Sequence, residues 1–329
     1  MRIVCIAKMS SHLLVILDSM KETMKNFLFL ISMILLLLMV QDFVKQEYGQ
    51  ILVTPKPFVK WAGGKRQLIS VLNENLPKSF GTYFEPFLGG GALLFNMLTE
   101  KNKQKCNISD LNTDLVLAYV TIRDRVDDLI SSLKQHEKYY QKDSKSYYYS
   151  IRESNPRNEI EKTSRLLFLN RTCFNGLYRV NSKGKFNVPL GKYTNPNIVN
   201  EDNLRSVSSI LTSSKVTIQC RDFEAVLRDA KKGDLVYFDP PYQPVTDTAN
   251  FTSYTSRNFT YDDLNRLADL CMKLDSKGCN VLLSNSNSKE VVDMFSNKPW
   301  KISKIKANRS INSNSNKRTG HFELLIKNY

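Results

Sequence analysis

The 329-residue sequence has little histidine and no closely paired cysteines. It contains 3 histidines and 6 cysteines, and no two cysteines form a Cys-x-x-Cys pair. Structural zinc sites use closely spaced Cys and His ligands, so the sequence does not favour one. A disulfide framework is typical of short secreted chains and does not suit this length. We therefore interpret the cysteines as core thiols of a reduced, cytoplasmic protein that holds no metal.

Acidic residues are too few to balance the basic ones, and the net charge is +15. Between residues 130 and 200 there are 13 basic and 5 acidic side chains, and residues 298–329 hold 8 basic and 1 acidic. Two clustered basic regions favour a polyanionic partner such as nucleic acid. A solvated basic surface would have the same composition, so charge alone leaves both interpretations open.

Long apolar runs are absent apart from residues 27–40. As a helix this run would span about 21 Å, which is short of the roughly 30 Å hydrocarbon core of a bilayer. Lys21 and Lys25 precede it as in a signal peptide, but no small-residue cleavage pattern follows. A membrane anchor, a signal and an extension outside the functional domain all compete. We favour an extension over residues 1–50 with no membrane contact, and we hypothesise that Met39 is a translation start.

Predicted strands and helices alternate from residue 57 onward, with an interruption at residues 135–200. This alternation predicts an α/β fold with a doubly wound sheet. The interruption is rich in Tyr, Asn, Lys and Arg and predicts an inserted subdomain with a helix near residues 160–170. Residues 308–319 are polar and basic. The predicted strands are residues 83–86, 106–109, 216–219, 235–238, 280–283, 301–306 and 322–327, and the other predicted helices are 92–98, 113–133 and 261–277.

Acidic and glycine-rich sites follow the predicted strands, at the strand ends where doubly wound sheets bind ligands. Residues 85–91 read Glu-Pro-Phe-Leu-Gly-Gly-Gly, which lacks the G-x-G-x-x-G spacing of a dinucleotide site. Asp110 and Asp222 end later strands and could accept hydrogen bonds from a nucleoside-containing ligand. Each feature alone also fits a tight turn or a helix N-cap.

The most specific motif is Asp239-Pro240-Pro241-Tyr242, which follows the apolar residues 235–238. The two prolines remove backbone donors and leave carbonyl acceptors in a stiff loop beside the carboxylate. Such an array suits an exocyclic amino group, which carries two N–H donors. Tyr242 adds a flat face on which a planar base can stack.

Together these motifs resemble those of the DNA adenine methylase family that modifies the adenine of GATC, including its DpnII-type modification methylases. The resemblance covers about residues 57–329. It implies a Rossmann-like methyltransferase sheet formed by residues 57–134 and 201–329, with a mostly helical DNA-recognition subdomain at 135–200. The segments that carry it are Asp239–Tyr242, residues 85–91, Lys60-Trp-Ala-Gly-Gly-Lys65, residues 170–193 and residues 249–254.

The resemblance also implies a cofactor, a substrate and a set of site residues. S-adenosylmethionine would be the methyl donor, GATC in double-stranded DNA the substrate, and a restriction endonuclease acting on the same site a partner. Arg179 of the insert would read one guanine and Lys60, which lies before the insert, would reach the other. Leu177 and Pro189 would touch the thymine methyl group, and Asn175 and Tyr193 would lie nearby. The implied cofactor ligands are Trp61, Lys65, Glu85, Phe87, Gly89, Asp110, Asp239 and, as a looser transfer, Asp222.

The motif also predicts how adenine N6 becomes reactive. The lone pair of N6 is delocalised into the ring. Asp239 and the carbonyl of Pro240 would accept hydrogen bonds from the two N6 hydrogens, which localises the lone pair for in-line attack on the methyl group. Flipping the base out of the duplex costs a few kcal/mol. Stacking on Tyr242, worth about 1–3 kcal/mol, offsets part of that cost.

Several other functions compete with this one. RNA or a protein glutamine amide could be the substrate, although glutamine enzymes typically carry Asn where this chain has Asp239, and they lack the basic insert. A DNA-binding protein without chemistry is a second alternative, which intact Asp239 and Tyr242 argue against. A housekeeping adenine methylase without a restriction partner is the third.

Overall fold

The structure is a computed structural model that describes residues 31–34, 36, 54–61, 63–98, 104–181, 183–242, 259–307 and 321–329. The chain divides into two compact units, residues 1–53 and 54–329. Within the described residues no helix is long and apolar enough to cross a membrane. Met39, residues 249–254 and residues 308–319 lie outside the described part, and the assignment of residues 1–50 to an extension stays a prediction.

The second unit is built on a seven-stranded sheet in the order β3-β2-β1-β4-β5-β7-β6. Of the strands in the described ranges, β7 alone runs opposite to the others, and it pairs antiparallel with both β5 and β6. The predicted Rossmann-like, doubly wound α/β fold is confirmed. The strands are β1 (Tyr83–Glu85), β2 (Cys106–Asp110), β3 (Val216–Cys220), β4 (Leu235–Phe238), β5 (Asn280–Ser286), β6 (Lys301–Ala307) and β7 (His321–Lys327).

Helices cover both faces of the sheet. The central strand β4 is apolar throughout because both of its faces are covered. Leu235 and Tyr237 pack in one apolar cluster, whereas Val236 and Phe238 pack in a second. Successive side chains of a strand point to opposite faces, so both faces of β4 are buried. The helices are α1 (Ile69–Glu74), α2 (Ala92–Met97), α3 (Thr113–Asp124), α4 (Val126–Lys142), α5 (Ser144–Glu153), α6 (Glu159–Thr172), α7 (Glu201–Ser213), α8 (Val226–Asp229), α9 (Tyr261–Ser276) and α10 (Lys289–Met294).

The predicted helix over residues 113–133 is wrong, because the chain forms α3 and α4 with a break between them. Arg125 leaves the helical conformation at φ −142° and ψ 42°. Asp127 and Asp128 then occupy the first turn of α4, where carboxylates favour a helix N-terminus. The break lets α4 turn away from the sheet and begin the predicted insert.

The insert also contains α5, a helix that the sequence interpretation did not include. Asp143 caps it by accepting a hydrogen bond from the Ser146 backbone N–H at 3.0 Å. Its buried Tyr148 donates to the carbonyl oxygen of Val188 at 2.9 Å. The helix therefore braces the irregular segment that follows α6.

Cys5 lies outside the described residues, and one of the five described cysteines departs from the interpretation as core thiols. Cys106, Cys173, Cys271 and Cys279 are buried and free. Cys220, at the end of the edge strand β3, is free but exposed, because that strand has a neighbour on one side only. Among the described residues no cluster of three or more His, Cys, Asp or Glu side chains could hold a metal ion.

Candidate active site

Asp239 leaves the carboxyl end of β4, the central strand of the sheet. β4 is buried along its whole length, and the two prolines that follow prevent it from extending. The Asp239 side chain is 17% exposed, so it reaches the surface of the sheet edge without becoming fully solvated. The predicted catalytic carboxylate thus stands at the edge where such sheets bind ligands.

Lys65 holds this carboxylate in the structure. Its Nζ lies 2.7 Å from Asp239 Oδ1 and donates to the carbonyl oxygen of Gly63 at 2.8 Å. Lys65 is only 4% exposed, and a buried ammonium requires such acceptors. The residue that the resemblance assigned to the cofactor therefore contacts the predicted catalytic motif directly.

Tyr242 closes the same cluster from the far side of the prolines. Lys65 Nζ lies 4.8 Å from the centre of the Tyr242 ring, and the Tyr242 hydroxyl donates to Glu323 Oε2 at 2.8 Å. Glu323 lies 84 positions after Asp239, on β7, and the sequence interpretation did not single it out. A carboxylate near the start of an antiparallel strand carries no signal that distinguishes it from a surface charge.

The electrostatics of the cluster leave Asp239 close to its titration point near neutral pH. Burial raises the pKa of Asp239 to about 6, against the neighbouring Lys65 charge, which lowers it. The Glu323 carboxylate raises the pKa of Asp239 further. The carboxylate form, which is the form that accepts hydrogen bonds, therefore dominates above about pH 6.

Two more acids end the neighbouring strands β1 and β2. Glu85 is 3% exposed and accepts a hydrogen bond from the Tyr83 hydroxyl at 2.9 Å. Burial raises the pKa of Glu85 to about 8, so its neutral form prevails at neutral pH. Burial also raises the pKa of Asp110, which accepts from the backbone N–H groups of Gly89 and Asn112, each at 2.9 Å.

The glycine turn between β1 and α2 lies against Trp61. Gly89 has φ +50°, and a Cβ atom at this position would meet Trp61 Cδ1 at 3.0 Å. The Trp61 ring itself stacks on Tyr178 with ring centres 5.0 Å apart. Bare backbone beside an aromatic wall forms a cradle that a side chain at Gly89 would fill.

This donor set fits the cofactor that the resemblance implies. S-adenosylmethionine carries an ammonium group, a sulfonium group and ribose hydroxyls, all of which suit carboxylate partners. Glu85 and Asp110 end β1 and β2, and Asp239 follows β4, so the three acids lie at the carboxyl ends of adjacent parallel strands. Binding of a cationic ligand would favour the ionised form of the buried Glu85.

Phe87 and Asp222 have different surroundings. Phe87 stacks on Phe223 at 5.1 Å and meets Phe238 edge-on at 6.3 Å, which makes an aromatic wall after β1. Asp222 caps the turn after β3 and forms an ion pair with Arg266 at 3.0 Å. The structure therefore shows the capping role that was the alternative for Asp222. A role of Asp222 in binding the cofactor stays a prediction.

The segment predicted to read DNA forms a short hairpin in the insert. Val180 and Phe186 form an antiparallel bridge, and the Arg179 Nε donates to Asn187 Oδ1 at 2.8 Å. Asn175 is exposed in a left-handed conformation at φ 55°. Pro189 is exposed and Leu177 is partly buried.

Lys60 and Tyr193 lie together next to this hairpin. Lys60 Nζ is 5.3 Å from the centre of the Tyr193 ring. Asn170 of α6 ties the Lys60 backbone down, accepting from its N–H at 2.8 Å and donating to its carbonyl oxygen at 2.9 Å. Lys65 lies five positions after Lys60, so one short stretch of sequence reaches both the hairpin and the Asp239 cluster.

Comparison with known proteins gives a consistent picture. A family model described as D12 class N6 adenine-specific DNA methyltransferase matches residues 61–311. The chain is 44% identical over 291 residues to the type II methyltransferase M.MjaIII of Methanocaldococcus jannaschii, covering 83% of this chain and 99% of that protein. It is 41% identical to the type II methyltransferase M1.LlaDCHI of Lactococcus lactis subsp. cremoris, covering 83% and 95%. It is 34% identical to a DNA adenine methylase of Haemophilus influenzae, covering 82% and 92%.

Proposed function

The chain belongs to the D12 class N6 adenine-specific DNA methyltransferases, and from this premise we propose that it methylates the adenine of GATC in double-stranded DNA as the modification half of a restriction–modification system. S-adenosylmethionine is the methyl donor. Because the substrate is cellular DNA, we propose the cytoplasm as the place of action. The resemblance of residues 170–193 to GATC-specific methylases supports the choice of site.

The observation that carries the catalytic assignment is the cluster of Asp239, Lys65 and Tyr242. Asp239 is a hydrogen-bond acceptor held at a sheet edge by a 2.7 Å bond to Lys65. Pro240 and Pro241 follow it and supply carbonyl groups without competing N–H donors. An amino group with two hydrogens is the substrate group that this array can bind.

The proposed mechanism uses these groups as fixed acceptors. S-adenosylmethionine, when bound, supplies an electrophilic methyl group. Asp239 and the Pro240 carbonyl accept hydrogen bonds from the two hydrogens of adenine N6. These bonds localise the nitrogen lone pair and orient it. Because these acceptors are positioned before the reaction, they stabilise charge in the transition state without reorganising. The Tyr242 ring stacks on the flipped base.

Residues around the glycine turn would hold the cofactor. Trp61 and Phe87 would supply apolar walls, and Gly89 would allow the close approach that its missing Cβ leaves open. Lys65, Glu85, Asp110 and Asp239 would supply the charged and hydrogen-bonding groups, with Asp222 as a looser assignment.

The hairpin supplies the proposed reading of the sequence. Asn187 accepts from the Arg179 Nε at 2.8 Å and from its Nη2 at 3.5 Å, and guanidinium groups, which carry five N–H donors, bond guanine O6 and N7 in pairs. The Asn187 contact restricts the side chain before DNA arrives, which lowers the entropy lost on binding. Lys60 would reach the second guanine, and Leu177 with Pro189 would contact the thymine methyl group, near Asn175 and Tyr193.

Replacing Arg179 by Ala is expected to relax specificity at one position of the site. The ratio of kcat/KM on GATC to that on a site with the guanine replaced should fall about 5- to 150-fold, the value of one bidentate contact. Lys185→Ala, at an exposed position of the same hairpin, is the matched control and should weaken all sequences alike. If the ratio is unchanged in Arg179→Ala, the side chain holds only phosphate.

The target site can be tested in cells. We expect plasmid DNA from cells that express this chain to resist nucleases that cut unmethylated GATC. The same DNA should become sensitive to nucleases that require methylated GATC. DNA from cells that express Asp239→Asn is the control and should show the opposite pattern. Methylation found only at other sequences would reject GATC while leaving the adenine methyltransferase activity intact.

A housekeeping methylase remains the second candidate, because a relative of 34% identity is named a DNA adenine methylase. The two relatives above 40% identity are named type II methyltransferases, which supports the modification role. Deleting the gene separates the two. A partner endonuclease would cut the unprotected chromosome and kill the cell, whereas loss of a housekeeping methylase without a partner would be tolerated.

A further inference from the structure

Glu323 reaches the active site through the one strand that runs against the others. β7 pairs antiparallel with β5, and Glu323 lies opposite Ser286, the last residue of β5. The start of β7 therefore lies at the same sheet edge as the carboxyl ends of β5 and β4. Glu323 is 17% exposed, as Asp239 is, so both carboxylates are held at this edge rather than in bulk solvent.

One oxygen of Glu323 faces two members of the catalytic cluster. Oε2 accepts the Tyr242 hydroxyl hydrogen at 2.8 Å and lies 3.8 Å from Lys65 Nζ. Lys65 Nζ thus stands between two carboxylates, bonded to Asp239 at 2.7 Å and within ion-pair range of Glu323. The four side chains form a closed set that we call the acidic clamp: Lys65, Asp239, Tyr242 and Glu323.

The clamp in this state weakens Asp239 as an acceptor for the proposed chemistry. Asp239 can accept a hydrogen bond from adenine N6 through Oδ2, but Lys65 engages its Oδ1 at 2.7 Å. A strong hydrogen bond from the Lys65 ammonium group withdraws electron density from the Asp239 carboxylate, which N6 requires as an acceptor. Lys65 is buried. If it left Asp239 without another acceptor, its charge would be buried and unpaired.

We propose that Glu323 is a positioning residue of the methyl transfer, which anchors the Tyr242 hydroxyl and takes over Lys65 when the target amino group binds Asp239. A shift of about 1 Å brings Lys65 Nζ to hydrogen-bond distance of Glu323 Oε2. The same carboxylate keeps the Tyr242 ring oriented for the base. This inference rests on the proposed catalytic role of Asp239.

The charges around Asp239 supply a readout that a structural role would not produce. The groups that face it are Lys65, which lowers its pKa, and Glu323, which raises it. Tyr237, Tyr242 and Glu85 are the other titratable groups near it, and burial raises the pKa of each. Removing the Glu323 charge should therefore lower the pKa of Asp239 and move the acid limb of kcat/KM to lower pH.

The test uses the full-length enzyme with Glu323→Gln, which keeps the shape of the side chain and removes its charge. We expect kcat to fall about 10- to 100-fold, as misplacement of reacting groups does. KM for DNA and for S-adenosylmethionine should stay within a few-fold of the wild type, and the acid limb should move down. Base flipping can be measured without turnover in duplex DNA that carries a fluorescent adenine analogue at the target position. We expect this measurement to show weaker flipping in the variant.

Three further variants separate the contact of Glu323 with Tyr242 from its contact with Lys65. Tyr242→Phe removes only the hydroxyl anchor and should weaken flipping while leaving the acid limb in place. Glu323→Asp keeps the charge but shortens the reach, so it should lower kcat without moving the acid limb, and it serves if the Gln variant fails to fold. Glu74→Gln, an exposed carboxylate at the end of α1, is the control and should behave as wild type.

Each outcome has a separate meaning. Wild-type kcat, flipping and acid limb in Glu323→Gln, with Asp239→Asn inactive, would overturn the role of Glu323 and leave the proposed function standing. Full activity of Asp239→Asn would overturn the proposed mechanism itself.

Discussion

Asp239→Asn is expected to reduce kcat by at least about 10²- to 10³-fold, the typical loss when one preorganised electrostatic group is removed from an active site. The amide keeps the shape of the carboxylate but lacks its charge, and half of its polar end donates rather than accepts. Adenine N6 would then face an N–H group or a weaker acceptor. Single-turnover methyl transfer into a GATC duplex measures this loss directly.

The same variant should still bind DNA, since we expect the phosphate contacts to come from the basic residues of the proposed insert rather than from Asp239. Its stability should drop by less than the roughly 3–5 kcal/mol that breaking a buried ion pair costs, because Glu323 remains near Lys65. Equal DNA affinity and a cooperative thermal transition are therefore the controls. Turnover equal to wild type at saturating substrates would show that Asp239 is not the acceptor.

Lys65→Met is expected to have the second largest effect, and its pH dependence identifies the cause. The nearby ammonium lowers the pKa of Asp239, which burial has raised to about 6. An opposite charge at this range is worth about 1–3 pH units, so its loss should move the acid limb of kcat/KM up by that amount. At pH 7 activity should fall by about 2- to 100-fold over that range of shifts, and it should recover in part under alkaline conditions.

Calorimetry with S-adenosylmethionine separates the two roles of Lys65. If Lys65 binds the cofactor, as the resemblance implies, affinity in Lys65→Met should fall at every pH. If Lys65 acts only on Asp239, affinity should hold while the acid limb moves. An unmoved acid limb would mean that the 2.7 Å bond to Asp239 does not set the ionisation of that carboxylate.

The predicted elements succeeded where their signals are local. Residues 235–238 are apolar at every position and end at two prolines, and they form the predicted strand with Asp239 at its end. The prediction failed over residues 113–133, where an unbroken helical pattern hid the turn at Arg125. Helix propensity does not record that α4 must leave the sheet to pack against α6, a contact made only in the folded chain.

The sequence by itself determined the class of the enzyme, because Asp239–Tyr242, residues 85–91 and residues 60–65 are contiguous motifs that resemble those of DNA adenine methylases. It also determined the doubly wound sheet, since apolar runs that alternate with helices can be buried in few other ways. Only the tertiary structure decided what holds that carboxylate. Lys65 and Glu323 lie 174 and 84 positions from Asp239 in the chain. Glu323 meets it because the antiparallel strand β7 starts at the edge where the parallel strand β4 ends, and Lys65 reaches the same edge from the turn before α1. Both contacts depend on long-range packing and leave no local pattern.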